Sequence, residues 1–347
     1  MSFILGLVLP ICFIAGITGA WIFPQWSLLS ILLLPSLWQK GSITSFHWMG
    51  AAFIGYAIVS LAWSASPQDS FDGIWYVLVW GLSFRWGSLQ GDLTGLWKGL
   101  AIGLGINSTV AILQALGYHP VMVNDGFAGL LFQTRTLSAV AGIGILALIC
   151  HRLWFWIPPV LPGLYLSHAR AGWIILGIGM IFRHLHWAIA IPIAATIAGF
   201  ALYHPNPSDL ERIFIWSQTW FQLRLFGWGP GIFTDVVLTK EGAGMIHPGF
   251  THNDFLQLAF EYGIGALLPI GILAGGLSRF SDRNWPILVA MAILAGFWYP
   301  FFHPVTAFLG CAVAGHLLRG VDPVCDAVDH RRSQGISFAT ARGAGAG

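Results

Sequence analysis

The chain has 347 residues and a formal net charge of +2, with 9% charged residues against a hydrophobic fraction of 56%. Soluble domains carry roughly 25% charged residues, and a mean hydropathy of +0.73 points away from them too. As first readings these figures exclude a disordered chain, a nucleic-acid binder and an ordinary cytosolic enzyme, and leave an all-α integral membrane protein.

A helical span needs about 20 mostly apolar residues. Along the chain that ruler predicts eleven or twelve transmembrane helices, near 3–22, 25–38, 46–63, 73–86, 96–116, 134–150, 153–167, 171–183, 186–203, 254–277, 285–301 and 304–318. The N-terminus lacks a basic region and a small-x-small cleavage site, so 3–22 reads as a retained span. The stretch 171–183 is short enough to belong to a broken or re-entrant element. Cys12, Cys150, Cys311 and Cys325 lie far apart, which suggests packing residues rather than a zinc site or a disulfide framework.

The basic residues test this count. With the N-terminus in the cytoplasm, the inner loops collect Lys40, Arg85, Lys98, Arg152, Arg183, Arg279, Arg283, Arg319, Arg331, Arg332 and Arg342. The outer side keeps Arg135, Arg170, Arg212, Arg224 and Lys240. That asymmetry is what the positive-inside rule requires. Both termini then lie in the cytoplasm, residues 1–319 form the membrane domain, and 320–347 form a polar, Gly/Ala-rich tail expected to be disordered. No internal repeat of fixed period is visible, which weighs against an inverted-repeat transporter.

One outer connection is long, 204–253. Ser208-Asp-Leu-Glu211 is a capping box that predicts a helix from about Asp209. Its apolar positions Leu210, Ile213, Phe214, Trp220 and Phe221 make a stripe suited to a membrane surface. Arg212 and Trp216 are four apart on the other side, where the ring can steady the guanidinium. Gly227-Trp-Gly-Pro-Gly231 ends helical structure, and by themselves its glycines read as a surface turn.

Thr251-His-Asn-Asp254 resembles a second capping box, with Thr251 as N-cap and His252 in the first turn of the span 254–277. There the positive end of the helix dipole would keep the imidazole neutral and attract anions. A lone interfacial His is otherwise just a polar tip. Glu261 lies nine residues on and on the opposite face, so it is not the base. A carboxylate within a span needs a partner, and Arg135 and Arg170 are the candidates by depth. Arginines at span ends often snorkel, but on the face that the rule disfavours, Arg135, Arg170 and Arg212 suit bidentate phosphate binding. Arg224 and Lys240 read as surface charges.

These residues resemble the O-antigen ligase/polymerase family of bacterial membrane glycosyltransferases. The match rests on His252-Asn253 followed by nine residues and Gly263, where the family pattern continues Gly-x-x-Gly and this chain has Ala266 with Gly265 beside it. Arg212 with Trp216, the Gly227–Phe233 stretch and Ser167-His-Ala-Arg170-Ala-Gly are similar to further family elements, with Ala169 in place of a Ser. So are Trp63-Ser-Ala-Ser-Pro67 and Gly129–Arg135. The resemblance implies a GT-C-like fold of about twelve spans with one long periplasmic loop in the inner membrane. It implies metal-independent transfer of a glycan from undecaprenyl diphosphate, most simply to lipid A–core as in lipopolysaccharide biosynthesis. Elongating another lipid-linked unit, as a polysaccharide polymerase, and glycosylating a protein hydroxyl are the alternatives, and a non-enzymatic lipid or polysaccharide transporter is the rival class. In that scheme His252 takes the acceptor proton and Arg135, Arg170, Arg212 and Asn253 hold the diphosphate. Trp216, Gly229, Gly231, Thr251, Glu261 and Gly263 support the site, a lateral groove takes the polyprenyl tail, and no cofactor is needed.

Overall fold

A computed structural model of the chain describes residues 2–10, 22–118, 130–131, 133–185, 189, 192, 207–237, 239–241, 244–246 and 250–319. The expected tail at 320–347, nearly all of the expected span 186–203 and the later part of 3–22 lie outside these residues, as do Cys12 and Cys325.

The regular structure of the described residues is helical apart from one small hairpin. The helices are α1 Ser2–Val8, α2 Ile22–Leu33, α3 Ser45–Val59, α4 Pro67–Leu89, α5 Thr94–Ala115, α6 Thr134–Cys150 and α7 Leu161–Leu166. They continue with α8 Arg170–His184, α9 Pro207–Phe221, α10 Asp254–Tyr262, α11 Leu267–Leu277, α12 Trp285–Ala295 and α13 Pro304–Leu317. Strand β1 Thr239–Glu241 pairs antiparallel with β2 Gly244–Ile246, placing Lys240 opposite Met245.

Among the described residues three stretches are long and apolar enough to cross a membrane: Ser45–Trp63, Thr94–Ala115 and Asp254–Leu277. Shorter apolar helices run over Trp26–Leu37, Thr134–Cys150, Trp285–Ala295 and Pro304–Leu317. The stretch 171–183 is one uninterrupted helix, α8.

The expected span 153–167 is different. It holds a 3-10 turn at Trp154–Trp156 and the six-residue α7. Pro158, Pro159 and Pro162 remove the amide donors a continuous helix would need. Just before them, Arg152 adopts φ 59, and Leu153 N donates to Leu148 O while Arg152 N donates to Ile149 O. That is a Schellman motif closing α6 with an arginine where glycine is usual. The segment carries the chain back along α6, so that α6 and α8 run parallel: Gly172 abuts Ser138, and Gly179 abuts Leu146 further along.

Small residues let the helices approach closely, as membrane helices do. A Cβ at Gly87 would strike the Ala312 carbonyl, and one at Gly315 the Phe84 carbonyl, so α4 and α13 pack backbone against backbone. Gly6 and Gly99 do the same for α1 and α5.

The two ends of the bundle differ in chemistry. At one end, Arg319 Nη1 donates to Gln90 O at 2.8 Å, His316 Nδ1 approaches the same carbonyl at 3.0 Å, and His151 Nε2 meets Asn284 Oδ1 at 2.9 Å. Arg85 ties the 39–42 loop to α4 there. Arg135 and Arg170 begin α6 and α8 at the opposite end. Arg85 and Arg319 thus lie at one end of the helices, and Arg135 and Arg170 at the other.

Candidate functional site

The site lies at the end where α6 and α8 begin, and it is built on a loop and a helix break that fit each other. The Gly227–Gly231 segment is no surface turn. Gly229 and Pro230 are buried, Trp228 N donates to Phe260 O at 3.1 Å, and Gly229 N donates to Glu261 O at 2.9 Å. Ile264 N returns to Leu225 O at 2.8 Å. The first two of these bonds satisfy carbonyls that the end of α10 leaves open, and the third satisfies a carbonyl of the loop. Gly263, with φ 52, makes the break, and a Cβ there would collide with the Leu225 carbonyl. Gly229 has φ 109 and packs on Ser64, while Gly231 has φ 73 and lies beside Gly73. Glycine is required at both by conformation and by space. The short 63–70 loop completes the wedge: Trp63 Nε1 donates to Phe226 O at 3.1 Å and Ser64 bonds Ser70 at 2.7 Å.

The start of α10 also departs from expectation. Asn253, not Thr251, is the N-cap, and its Oδ1 accepts from Leu256 N at 3.0 Å. Thr251 Oγ1 instead accepts from Asn253 N at 3.0 Å, which braces the turn. Its neighbouring groups are tied as well: Trp216 Nε1 donates to Thr251 O at 2.7 Å and Thr251 N donates to Gln257 Oε1 at 3.2 Å. Trp216 on α9 is therefore a brace for the 251–253 turn. Of the expected surface stripe, Ile213, Phe214, Trp220 and Phe221 are exposed.

His252 precedes the helix rather than occupying its first turn. It adopts φ 56, a left-handed conformation uncommon for residues other than glycine. Its ring lies 5.2 Å from that of Tyr299, which in turn stacks on Phe250 at 4.4 Å. Nδ1 is buried with no hydrogen-bond partner among the described residues. Burial pushes the imidazole down to about 4, and the positive charges of Arg212 and Arg135 push it the same way. Neutrality comes mainly from desolvation, with the arginines second.

Glu261 is fully buried, and no ion pair joins it to Arg135 or Arg170 among the described residues. Its Oε1 accepts from Gln257 Nε2 at 3.0 Å. The expected arginine partner is replaced by an amide one turn away on the same helix. Glu261 serves the wedge, with its backbone carbonyl held by Gly229.

The structure thus brings His252, Arg135 and Arg212 into one electrostatic neighbourhood, with Asn253, Thr251 and Trp216 framing it. Arg170 begins α8 beside α6, exposed at the same end, and the charges that bear on His252 are the other two. Arg224 sits 3.1 Å over the Trp228 ring, capping the wedge. Two residues were missed in the sequence. Tyr299 lies just past α12, where its aromatic pair with Trp298 reads only as an interfacial belt. Asp254 is buried, and its Oδ2 accepts from Phe301 N at 2.9 Å, locking the 298–302 turn against α10. Among the described residues no three His, Cys, Asp or Glu side chains gather as metal ligands.

Neither a protein-family model nor any curated protein matches this chain. The likeness to O-antigen ligases rests on the residues and their order, and the chemistry rests on the cluster itself. A neutral, partly desolvated imidazole beside two guanidinium groups can accept a proton while the cations hold an anion.

Proposed function

We propose that this chain is a bacterial inner-membrane glycosyltransferase of the O-antigen ligase type, with about twelve spans in a GT-C-like arrangement and a periplasmic site. It moves a glycan from undecaprenyl diphosphate to an acceptor hydroxyl, here assigned to lipid A–core. His252 takes the proton as the acceptor oxygen attacks the anomeric carbon. The C–O bond to diphosphate breaks, and Arg212 and Arg135 offset the charge that develops on the leaving phosphate. Arg170 and Asn253 contact the donor from the rim. The observation that carries this reading is the left-handed His252, kept neutral by burial beside two cations.

A general base must be unprotonated and a diphosphate site must be cationic, and these demands conflict in water. Burial and the arginines keep the free imidazole unprotonated, and a diphosphate bound on the arginines would offset the charges that hold its basicity down. Polymerases and protein O-oligosaccharyltransferases would use the same donor chemistry, and they differ in the acceptor alone. Transport would instead call for ionisable groups along a path through the spans.

Purified protein supplied with a polyprenyl-diphosphate glycan, with and without lipid A–core, tests the proposal. Transfer only when core is present supports ligation. Elongation of the donor without core would assign a polymerase. His252→Ala should abolish transfer while leaving donor binding, and full activity in that variant would remove the base assignment. Arg212→Lys should fail too, since a point charge does not reproduce a bidentate clamp.

A further inference from the structure

A groove of about 630 Å³ opens on the side of the bundle between α2, α3, α4 and α11, running from Asp254 and Phe255, close to His252 in the chain, toward Arg85. That volume is in the range of small-molecule sites. Its walls are apolar, with Leu34, Ile54, Trp75 and Leu273 among them, and its rim residues Leu37, Ile43 and Trp48 are largely exposed. Arg85 lies at its other end, with His47 Nε2 3.5 Å from Nη1.

Arg85 is held there by design of the loop above it. Nη2 donates to Gln39 O at 3.0 Å and Nη1 donates to Ser42 O at 3.3 Å. Gly41 packs between Leu89 and the guanidinium, where a Cβ would strike Leu89 Cδ2. Two neutral carbonyls orient the group without cancelling its charge, and no carboxylate pairs with it among the described residues. An oriented, uncompensated guanidinium beside an apolar channel is a receptor for an anion attached to a hydrocarbon chain. Lys40 adds a second positive charge in the same loop, and Trp38 and Trp48 stand exposed at this level, as aromatic residues do at a headgroup boundary.

Position selects the occupant. Arg85 lies 18 residues after Pro67 on α4, so it is about 27 Å from the end that carries the glycine wedge and His252. A donor whose diphosphate sits at Arg212 cannot also place that phosphate on Arg85. We propose that the groove binds an anionic phospholipid, its phosphate on Arg85 and an acyl chain along the apolar walls. The phosphate contact at Arg85 is separate from the proposed transfer site, although the other end of the groove adjoins that site at Asp254 and Phe301.

Native mass spectrometry of the full chain in neutral detergent, titrated with dioleoyl phosphatidylglycerol or dioleoyl phosphatidylcholine, tests this. Wild type should retain phosphatidylglycerol about tenfold more tightly, the yield of one charge-assisted contact. Arg85→Gln should lose the preference and Arg85→Lys should keep part of it. Ala51→Phe, which fills the groove from α3, should weaken both lipids with Arg85 intact; it also carries the test if Arg85→Gln does not fold. Glycerol 3-phosphate should not compete, because the chain is half of the ligand. Undiminished preference in Arg85→Gln, undiminished binding in Ala51→Phe, or competition by glycerol 3-phosphate would overturn the proposal. Loss of the preference in Arg212→Gln alone would do so as well, and would assign the groove to the donor's tail.

Discussion

The His252 imidazole should titrate near pH 4, and the fold explains the order in which burial and its neighbours contribute. An ordinary histidine at pH 5.5 is only about one-tenth neutral. With its pKa pushed down to about 4, His252 at the same pH is about 97% neutral. The folded site refuses a proton that the unfolded chain accepts between about pH 6.5 and pH 4. Stability contributed by this group is therefore intact above pH 6.5 and falls away through that window as the pH drops. Acylation by diethyl pyrocarbonate consumes the neutral ring, so mass-spectrometric yield at the His252 peptide against pH reads the titration directly. The expected midpoint is near 4, against the ordinary value for a free histidine peptide in the same tube. Burial is the larger cause and the arginines the smaller, so Arg212→Gln and Arg135→Gln should each raise the midpoint only part of the way. A wild-type midpoint above 6 would refute the argument. A full return to 6.5 in Arg212→Gln would refute the ordering of causes.

Other consequences are structural. Gly263→Ala combines a left-handed residue with a collision against Leu225 O, and should destabilise by about 1–3 kcal/mol, read as a lowered thermal midpoint in detergent. Unchanged unfolding would mean that the wedge is not tightly held. Asn253→Ala removes the side-chain cap of α10 and should cost about 0.5–2 kcal/mol, with Asn253→Ser recovering most of it. A Thr251→Ala variant that proved costlier than Asn253→Ala would return the cap to Thr251.

Much of the fold was legible because apolar length is a local property. Most helices fall within a few residues of the stretches picked out by hydropathy, as α5 does for 96–116 and α13 for 304–318. The failure at 153–167 has a local cause that was present but outweighed: three prolines forbid one continuous helix whatever the composition. At the site, residue types were legible and roles were not. Thr251 and Asn253 are both good caps, and the choice between them depends on Trp216 and Gln257 holding Thr251, contacts made across 35 and 6 residues. Glu261 was matched to an arginine by depth, whereas Gln257 one turn away reaches it first.

The scarcity of charge determined, from sequence alone, a membrane-type chain and which few cations stand apart from the rest. Those are sums over side chains, insensitive to their arrangement. Tertiary structure decided that His252 is neutral, that Tyr299 adjoins it, that the glycine loop is a buried wedge, and that Arg85 closes an apolar groove. Each of these depends on desolvation or a close approach, and such effects exist only when distant segments are brought within a few ångströms.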